Sequence, residues 1–381
     1  MVRETLIAIY LFMFQTLFQL FRLFPLKKKT SFVATYGDNI LYIVQELEKE
    51  TDQPFVIIRM PNCVLPFSQL TSHTVLQFDS PWHWIRAVYH LATSRIMFVD
   101  NYLAILSKIK QQEGVLCIQL WHAAGAIKRF GLEDPAFQSR SKRAKKRIRA
   151  VYQRFTHVVV GSERMVPIFQ RSFGNSNMTI LRSGIPRTDF FFRPIEMRSM
   201  ELVLQRKYSV IGQKKIILYA PTFRDYKVNG GTIPFDLHAF CEAFCDEYVL
   251  FLRLHPAISQ SFQHQYPGVV FDVSDIRDVS SLFTVTDILI TDYSSIPFEF
   301  ALLDRPMIFF AHDLQQYEQS RGFWEDYQTF VPGPVVTETE ELIHVIRKGI
   351  FNLEHIRAFA DEWNPYSTGR SSKNIIETIY R

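Results

Sequence analysis

Short, continuous apolar segments recur along the chain, and they constrain its fold more than any other feature. Most are rich in β-branched and aromatic residues and show no strict alternation with polar residues. Such segments are typical of parallel strands covered by helices on both faces. They fall into two consecutive series, which predicts an α/β fold of two Rossmann-like, doubly wound domains that face each other across a cleft. The predicted strands are residues 31–36, 55–60, 95–100, 115–121, 157–162 and 178–184 in the first series, and 215–221, 248–256, 268–273, 287–295 and 306–313 in the second.

The length of the chain agrees with this division, because 381 residues suit two domains of ordinary size. The segment that separates the two series places the boundary near residues 190–212. We therefore assign residues 30–200 to an N-terminal domain and residues 201–381 to a C-terminal domain. No Gly-x-Gly-x-x-Gly or Walker motif is present, which excludes a P-loop enzyme and disfavours a dinucleotide-dependent oxidoreductase.

Residues 1–29 are predicted to form a separate, membrane-associated segment. The apolar stretch "TLIAIYLFMFQTLFQLFRLF" covers residues 5–24 and is followed by Lys27, Lys28 and Lys29. No cleavage motif supports a secretory signal. A transmembrane span and a buried core helix are alternatives, but polar residues along one narrow helical face favour a helix that lies in the membrane interface. The lysines predict that the rest of the chain is cytoplasmic.

A basic run at residues 140–154 also suits an anionic surface. The chain carries a net charge of +5, and the segment from residue 135 to 162 contains eight Lys and Arg residues and no acid. The run lacks the interleaved aromatic residues and the motifs of nucleic-acid-binding proteins, so anionic lipid headgroups are the favoured partner. We assign Arg143, Lys146 and Arg147, together with the three lysines above, to contacts with the membrane or a lipid acceptor.

Polar residues follow several of the predicted strands, at the edge where doubly wound sheets bind their ligands. His122 ends one strand and precedes three small residues, Ala123, Ala124 and Gly125, which would admit a sugar ring. An imidazole at this position suits a general base. A packed histidine in an ordinary strand-to-helix turn is the structural alternative.

Residues 292–295 close another predicted strand and run into a helix, with a serine at or near the N-cap and a proline in the first turn. A helix cap explains this pattern without a ligand. The functional interpretation is a phosphate site, because free backbone N–H groups and the helix dipole favour an anion. In that interpretation Ser294 and Ser295 add hydroxyl donors, Glu299 accepts from sugar or glycerol hydroxyls, and Asp292 orients the loop.

Several longer motifs together carry a family resemblance. In chain order they are "LWHAAGAIKRFG", "VVGSE", "GIPRTD", "ILYAPTFRD", "LRLHP", "ILITDYSSIPFEFALLDRPMIFF" and "RGFWEDYQTFVPGP", and they span about residues 115–335. On these motifs the chain resembles the CDP-glycerol glycerophosphotransferases of wall teichoic acid synthesis. Its His-Ala-x-Gly sequence, followed by Lys-Arg-Phe-Gly-Leu-Glu-Asp, is similar to the primase branch of that family.

The resemblance implies a GT-B-like architecture that binds the donor nucleotide on the C-terminal domain. It also implies transfer of one glycerol phosphate from CDP-glycerol to the N-acetylmannosaminyl hydroxyl of an undecaprenyl-diphosphate-linked disaccharide, with release of CMP. His255 is implied to act with His122 in catalysis by neutralising the phosphates of the donor. The candidates for the remaining donor contacts are Arg187, Thr222, Arg224, Ser294 and Ser295.

The expected partners are CDP-glycerol, the lipid-linked disaccharide and the anionic cytoplasmic face of the cell membrane, to which the chain is peripherally or N-terminally attached. Other enzymes of teichoic acid synthesis are further candidates, and nucleic acid is not expected. The four cysteines form no CxxC pair and no metal-ligand cluster is evident, so we expect no cofactor. A magnesium ion that arrives with the donor stays an open alternative.

Three other functions remain compatible with these observations. The first is an extending glycerol- or ribitol-phosphate transferase of the same family, which differs from a primase in its acceptor. The second is a GT-B transferase that uses a nucleotide sugar and therefore differs in its donor. The third is a non-catalytic protein that binds the membrane surface. A measurement of turnover would distinguish this protein from the two transferases.

Overall fold

The computed structural model describes residues 2–63, 65, 67, 74–78, 80–222, 233–254 and 265–380. The chain divides into two compact units, and each contains one parallel sheet. The first unit comprises residues 1–124, 130–189 and 365–381, and the second comprises residues 125–129 and 190–364.

The sheet of the first unit has seven strands among the described residues. They are β1 (Lys27–Ala34), β2 (Phe55–Arg59), β3 (Thr74–Gln77), β4 (Ser94–Val99), β5 (Leu116–Gln119), β6 (His157–Val159) and β7 (Thr179–Leu181). Their order is β3-β2-β1-β4-β5-β6-β7 and every pairing is parallel. The order reverses between β1 and β4, and ligands of such sheets bind beyond the carboxyl ends of the strands at this switch point.

The sheet of the second unit repeats this plan with six strands among the described residues. They are β8 (Lys215–Tyr219), β9 (Tyr248–Leu252), β10 (Val270–Asp272), β11 (Ile288–Thr291), β12 (Met307–Phe310) and β13 (Val335–Val336). Their order is β10-β9-β8-β11-β12-β13, again parallel throughout, so the switch point lies between β8 and β11. Central strand residues such as Ile217, Ile290 and Ile308 are fully buried in the core of this unit.

Helices connect the strands of both units. Those of the first unit before the boundary are α1 (Val2–Phe21), α2 (Asp38–Glu50), α3 (Pro81–Thr93), α4 (Pro135–Ser139), α5 (Lys142–Tyr152) and α6 (Met165–Phe173). Those of the second unit are α7 (Pro194–Lys207), α8 (Leu237–Phe244), α9 (Val279–Phe283), α10 (Ile296–Phe300), α11 (Leu314–Arg321), α12 (Tyr327–Phe330), α13 (Thr339–Lys348) and α14 (Leu353–Trp363). The last helix, α15 (Ser371–Tyr380), belongs to the first unit.

The two parallel-sheet α/β units confirm the predicted fold class, and each of the predicted strands overlaps an observed one. Two observed strands, β3 and β13, were not predicted, because both are short and lie at the edges of their sheets. Several predicted strands extend too far at their carboxyl ends. There the chain turns into the polar loops at the edge of the sheet, and the apolar pattern does not mark where pairing stops.

The C-terminal segment returns to the first unit, which differs from the predicted assignment of residues 201–381 to one domain. The carboxylate of Asp189 accepts hydrogen bonds from the backbone N–H groups of Ser371 (2.8 Å) and Ser372 (2.9 Å). It thereby satisfies donors at the start of α15 that have no partner within the helix. At the other end of α15, the Tyr380 hydroxyl lies 2.7 Å from Thr30 Oγ1 on β1.

Two further divisions of the chain differ from the predicted ones. The second unit begins at Phe190 rather than after residue 200, and it includes residues 125–129. This short segment pairs with the loop after α11: Arg129 N–H donates to the carbonyl of Gly322 (3.0 Å), and Trp324 N–H donates to the carbonyl of Ile127 (3.1 Å). Both are long-range pairings that the sequence pattern does not reveal.

Candidate active site

His122 lies just beyond the carboxyl end of β5 in the first unit. β5 ends at Gln119, and Trp121 then takes a left-handed backbone conformation with a φ of 59°. The half-buried His122 imidazole packs against two aromatic rings, with its centroid 4.4 Å from that of Trp121 and 4.7 Å from that of Tyr36. The turn therefore holds the imidazole at the sheet edge where ligands of doubly wound folds bind.

A buried carboxylate, Asp100, fixes the turn next to His122. Its oxygens accept hydrogen bonds from the backbone N–H groups of Thr35 (2.9 Å), Tyr36 (3.0 Å) and Gly37 (2.7 Å). Burial raises the pKa of Asp100, and the three hydrogen bonds oppose this rise because they favour the charged form. Asp100 follows β4 and the turn follows β1, so this arrangement stands at the switch point of the first sheet.

The second unit also has a buried carboxylate that accepts a backbone hydrogen bond at its switch point. Asp292 follows β11 and is buried, and its Oδ1 accepts a hydrogen bond of 2.7 Å from the backbone N–H of Thr222, which follows β8. The carboxylate thus ties together the two loops that flank the reversal of strand order. The expectation that Asp292 orients its own loop stays a prediction.

The serines after Asp292 begin a helix, as predicted. Ser295 occupies the N-cap position of α10, with Pro297 in the first turn. The residue before it provides the capping acceptor, because Ile296 N–H donates a hydrogen bond to Ser294 Oγ over 3.3 Å. The Ser294 hydroxyl also lies 2.9 Å from Thr291 Oγ1. The cap interpretation is therefore correct in itself, and the phosphate-binding role of both serines stays a prediction.

The small residues after His122 serve close packing rather than space for a sugar. A Cβ atom on Gly125 would lie 2.3 Å from two ring carbons of Phe298, which belongs to α10 in the same unit. Ala124 is fully buried and Ala123 nearly so. The expectation that these three residues admit a sugar ring is wrong for this reason. Glu299, the neighbour of Phe298, is also buried, and its proposed contact with substrate hydroxyls stays a prediction.

Arg187 belongs to the first unit, together with His122. Its backbone N–H donates to Asn39 Oδ1 over 3.1 Å, and its guanidinium lies 3.6 Å from the carboxylate of Asp38. The same Asn39 donates from Nδ2 to the carbonyl of Trp121 over 2.9 Å. Arg187 is therefore linked through one side chain to the residue that precedes His122, and its role in donor binding stays a prediction.

Two of the predicted site residues, Arg224 and His255, lie outside the described residues. Within the described ranges, no group of three or more His, Cys, Asp or Glu side chains is arranged to hold a metal ion. The described candidates in the second unit that stand beyond the carboxyl ends of its strands are therefore Thr222, Ser294 and Ser295.

Four polar residues at the carboxyl ends of the strands were not predicted from the sequence. Tyr36 and Asp100 follow β1 and β4, and His312 and Asp313 follow β12. Asp313 accepts a hydrogen bond of 3.1 Å from the buried Tyr293 hydroxyl and lies 3.8 Å from His312 Nε2. Each ends an apolar run that was predicted to be a strand, so the rule that selected His122 applies to all four.

The N-terminal helix α1 packs along the first unit on one side. Leu11, Phe14 and Phe18 are buried, and aromatic contacts join Tyr10 to Trp84 and Phe21 to Tyr89 on α3. Residues 4–21 are long and apolar enough to cross a membrane by length and composition, with a mean hydropathy of 1.4. The side of α1 that faces away from the protein is also apolar, with exposed fractions above one half for Leu6, Ile9, Phe12, Met13 and Leu20.

The basic residues assigned to a lipid surface divide into two groups. Lys27, Lys28, Arg143 and Lys146 are exposed, as that assignment requires. Lys29 and Arg147 have partners within the protein. Because burial and the charge of Lys27 disfavour its charged form, the pKa of Lys29 falls to about 8.

The assignment of Lys29 to the lipid surface is therefore wrong, since the side chain is buried with its Nζ 3.0 Å from Nδ1 of His90. Arg147 forms an ion pair with Glu4 of α1, with nitrogen–oxygen distances of 3.1 and 3.3 Å. This pair holds α1 to α5, so Arg147 fastens the helix to the protein and is not free for a headgroup.

Two parallel-sheet α/β units, each with a carboxylate-fixed loop at its switch point, define a GT-B-like architecture. Residues 17–381 match the family described as CDP-Glycerol:Poly(glycerophosphate) glycerophosphotransferase. The chain belongs to this family and is therefore a CDP-glycerol glycerophosphotransferase.

Individual relatives agree with the family. The chain is 41% identical to the teichoic acid glycerol-phosphate primase of Bacillus subtilis (strain 168), over 80% of this chain and 78% of the relative. It is 34% identical to the enzyme of the same name from Bacillus spizizenii, over 93% and 92%. A poly(ribitol-phosphate) polymerase of the latter organism is 30% identical, over 96% of this chain and 58% of its own length.

Solved structures show the same fold. A variant of the wall teichoic acid polymerase TagF, soaked with CDPG, has a TM-score of 0.80 and 24% sequence identity, and the match covers 100% of this chain and 97% of that one. A UDP-GlcNAc 2-epimerase from Neisseria meningitidis has a TM-score of 0.60 at 14% identity, covering 93% of this chain and 100% of that one. At these identities the likeness concerns the fold alone.

Proposed function

We propose that the protein is a teichoic acid glycerol-phosphate primase. It transfers one glycerol phosphate from CDP-glycerol to the N-acetylmannosaminyl hydroxyl of an undecaprenyl-diphosphate-linked disaccharide. One observation carries the choice of primase over extending polymerase: the identity is 41% to a primase and 30% to a polymerase. The position of His122 beyond the carboxyl end of β5, against the Tyr36 ring that follows β1 at the switch point, supports the chemistry.

In the proposed reaction the acceptor hydroxyl attacks the β-phosphorus of CDP-glycerol. A new oxygen–phosphorus bond forms, the bond from that phosphorus to the bridging oxygen breaks, and CMP leaves with the electron pair. The hydroxyl proton passes to the imidazole of His122, which acts as general base. The exposed Tyr36 ring, 4.7 Å from the imidazole, provides an aromatic surface next to the attacking group.

The second unit supplies groups for the phosphates of the donor. The start of α10 carries backbone N–H groups and the positive end of a helix dipole, both of which favour an anion. Ser294 and Ser295 add hydroxyl groups there, and Asp292 holds Thr222 on the neighbouring loop. Fixed donors of this kind stabilise developing negative charge, and the loss of one costs on the order of 3 kcal/mol. Arg224 and His255 complete the proposed donor site.

The acceptor tests this proposal. We would measure CMP release from CDP-glycerol with a short-chain disaccharide-diphosphate lipid analogue, and with the same analogue already carrying one glycerol phosphate. A primase releases CMP faster with the unprimed analogue. Preference for the primed analogue would contradict the proposal and favour an extending transferase, and CMP release that is independent of acceptor would indicate hydrolysis only.

We further propose that α1 attaches the protein to the cytoplasmic face of the membrane. One side of α1 is fixed to the first unit through buried side chains and the Glu4–Arg147 pair, whereas the opposite side exposes large apolar groups. A helix held in this way lies along a surface, which suits insertion of its apolar side into the lipid interface. The exposed Lys27, Lys28, Arg143 and Lys146 would add electrostatic attraction to anionic lipids.

Substitution of the exposed side of α1 tests the attachment. We expect the double variant Phe12→Glu/Leu20→Glu to lose at least about tenfold in affinity for vesicles that contain phosphatidylglycerol, because buried apolar area is the main source of binding. Ile195→Glu is the matched control, since Ile195 is also exposed, at 82%, but belongs to α7 in the second unit. Sedimentation with vesicles measures both. Equal binding by the two variants and the wild type would contradict the proposal.

A further inference from the structure

The residue before His122 has a strained backbone conformation. Trp121 has a φ of 59°, in the left-handed region that disfavours residues with a Cβ atom by roughly 1–2 kcal/mol. The glycines that adopt this conformation elsewhere in the chain avoid that cost. Strain of this kind persists only where surrounding contacts enforce it, and it concentrates at functional sites. The question is therefore which contacts hold Trp121 in place.

Two buried amide side chains hold the Trp121 backbone from opposite ends. Its N–H donates to Gln119 Oε1 over 2.8 Å, and its carbonyl accepts a hydrogen bond from Asn39 Nδ2 over 2.9 Å. Gln119 is fully buried and Asn39 is 2% exposed. Because this carbonyl belongs to the peptide that joins Trp121 to His122, the hydrogen bond from Asn39 fixes the direction in which His122 leaves the turn.

Asn39 uses its other end to place Arg187. Its Oδ1 accepts the backbone N–H of Arg187 over 3.1 Å. The orientation of the carboxamide is determined by these two partners, because a carbonyl only accepts and an N–H only donates. Asn39 itself stands in the first turn of α2, directly after the turn that Asp100 holds. One buried side chain therefore connects Arg187 to the residue that precedes His122, although the two are distant in the sequence.

We propose that Asn39 is a positioning residue for the reaction. Its carboxamide keeps Trp121 in the left-handed conformation and sets His122 and Arg187 relative to each other. The inference rests on the proposed function, in which His122 is the general base. Without the Asn39 amide, the buried carbonyl of Trp121 loses its donor and the strained turn relaxes. The imidazole then leaves its position against Trp121 and Tyr36, and a displacement of about 1 Å can cost on the order of 100-fold in rate.

The test compares Asn39→Ala with Asn175→Ala. Asn175 is a matched control, because it is a buried asparagine of the same unit whose Nδ2 donates to two backbone carbonyls, at 2.9 and 3.1 Å, neither of which belongs to the turn of Trp121 and His122. For Asn39→Ala we expect kcat to fall by about 10- to 100-fold, because the displaced imidazole slows the chemical step. For Asn175→Ala we expect reduced thermal stability with kcat near that of the wild type.

A spectroscopic readout separates positioning from general damage. The His122 imidazole lies 4.4 and 4.7 Å from two aromatic rings, whose ring currents displace its proton resonances from ordinary histidine values. The resonance is assigned by its absence in His122→Ala. In Asn39→Ala it is expected to move towards the ordinary position, and in Asn175→Ala it stays where it is in the wild type.

The conservative variant Asn39→Asp provides a second, pH-dependent measurement and covers the case in which Asn39→Ala does not fold. An ionised carboxylate still accepts from Arg187 N–H but repels the Trp121 carbonyl, whereas the protonated acid regains a donor. The ratio of its activity to that of the wild type is therefore expected to rise as pH falls.

The outcomes distinguish the inference from the function on which it rests. Loss of activity in His122→Ala, together with wild-type kcat and an unmoved His122 resonance in either Asn39 variant, would overturn the positioning role and leave the proposed function intact. Full activity in His122→Ala would instead remove the general base on which both depend.

Discussion

Replacement of His122 by alanine is expected to slow CMP release by about 10²–10⁴-fold, the usual contribution of a positioned general base. The imidazole stands beyond the carboxyl end of β5, where it packs against Tyr36 and Trp121, and Asp100 fixes the turn that carries Tyr36. Since no other described side chain is assigned to accept the hydroxyl proton, the loss should appear in kcat rather than in the KM for the donor.

His157→Ala is the control for this loss. His157 is a half-buried histidine of the same sheet, with its Nδ1 2.8 Å from Thr156 Oγ1. It begins β6 and so lies at the amino ends of the strands, whereas His122 lies beyond their carboxyl ends. We expect this variant to keep wild-type kcat. Equal losses in the two variants would mean that removal of either ring damages the sheet. Full activity in His122→Ala would mean that His122 is a packed histidine.

The second large effect is expected for Gly184→Ala, which should lower the free energy of unfolding by about 3 kcal/mol or more. Gly184 has a φ of 84°, and a Cβ atom there would lie 2.3 Å from the carbonyl oxygen of Tyr366 and 2.5 Å from Ser371 Oγ. The new methyl group would push away the C-terminal segment, whose helix α15 begins where Asp189 accepts a hydrogen bond from Ser371 N–H. Urea unfolding measures the change.

Gly114→Ala separates the two causes of this destabilisation. Gly114 has a similar φ of 76°, but nothing lies within 4 Å of its Cβ position. We expect it to cost only the backbone term, about 1–2 kcal/mol. A Gly184→Ala variant no less stable than Gly114→Ala would show that the C-terminal segment does not pack against Gly184 as described.

The sequence predicted the features that depend on local periodicity. Continuous apolar runs identified strands in both sheets, since a strand buried on two faces needs no alternation. The same pattern placed His122 and the segment after β11 at strand ends, because a polar residue that follows an apolar run marks the point where the strand ends and the loop begins. The start of α10 followed from the chemistry of helix caps, which is also local.

The features that escaped prediction depend on contacts between distant residues. The burial of Lys29 against His90 and the return of α15 to the first unit involve partners that no periodicity connects. Gly125 was interpreted as space for a substrate, whereas the space is filled by Phe298. A small residue indicates that another group packs closely against the backbone, but the sequence alone does not identify whether that group is a substrate or a side chain of the protein.

Asn39 illustrates the same limit within the site. It stands in the first turn of a helix, where asparagine is commonly a local capping residue, and nothing nearby in the sequence indicates a partner. Its two hydrogen bonds reach Trp121 and Arg187, which are 82 and 148 residues away. Only the fold brings these positions together, so the residue is visible as part of the site only in the structure.

The mass of the product distinguishes a primase from an extending transferase. We would incubate the full chain with excess CDP-glycerol and the short-chain disaccharide-diphosphate lipid analogue until CMP release stops, and then record the mass of the lipid product. The account predicts an increase equal to one glycerol phosphate, with no further additions and no product in His122→Ala. A ladder of repeated additions would contradict the primase assignment, and an unmodified acceptor despite CMP release would contradict transfer itself.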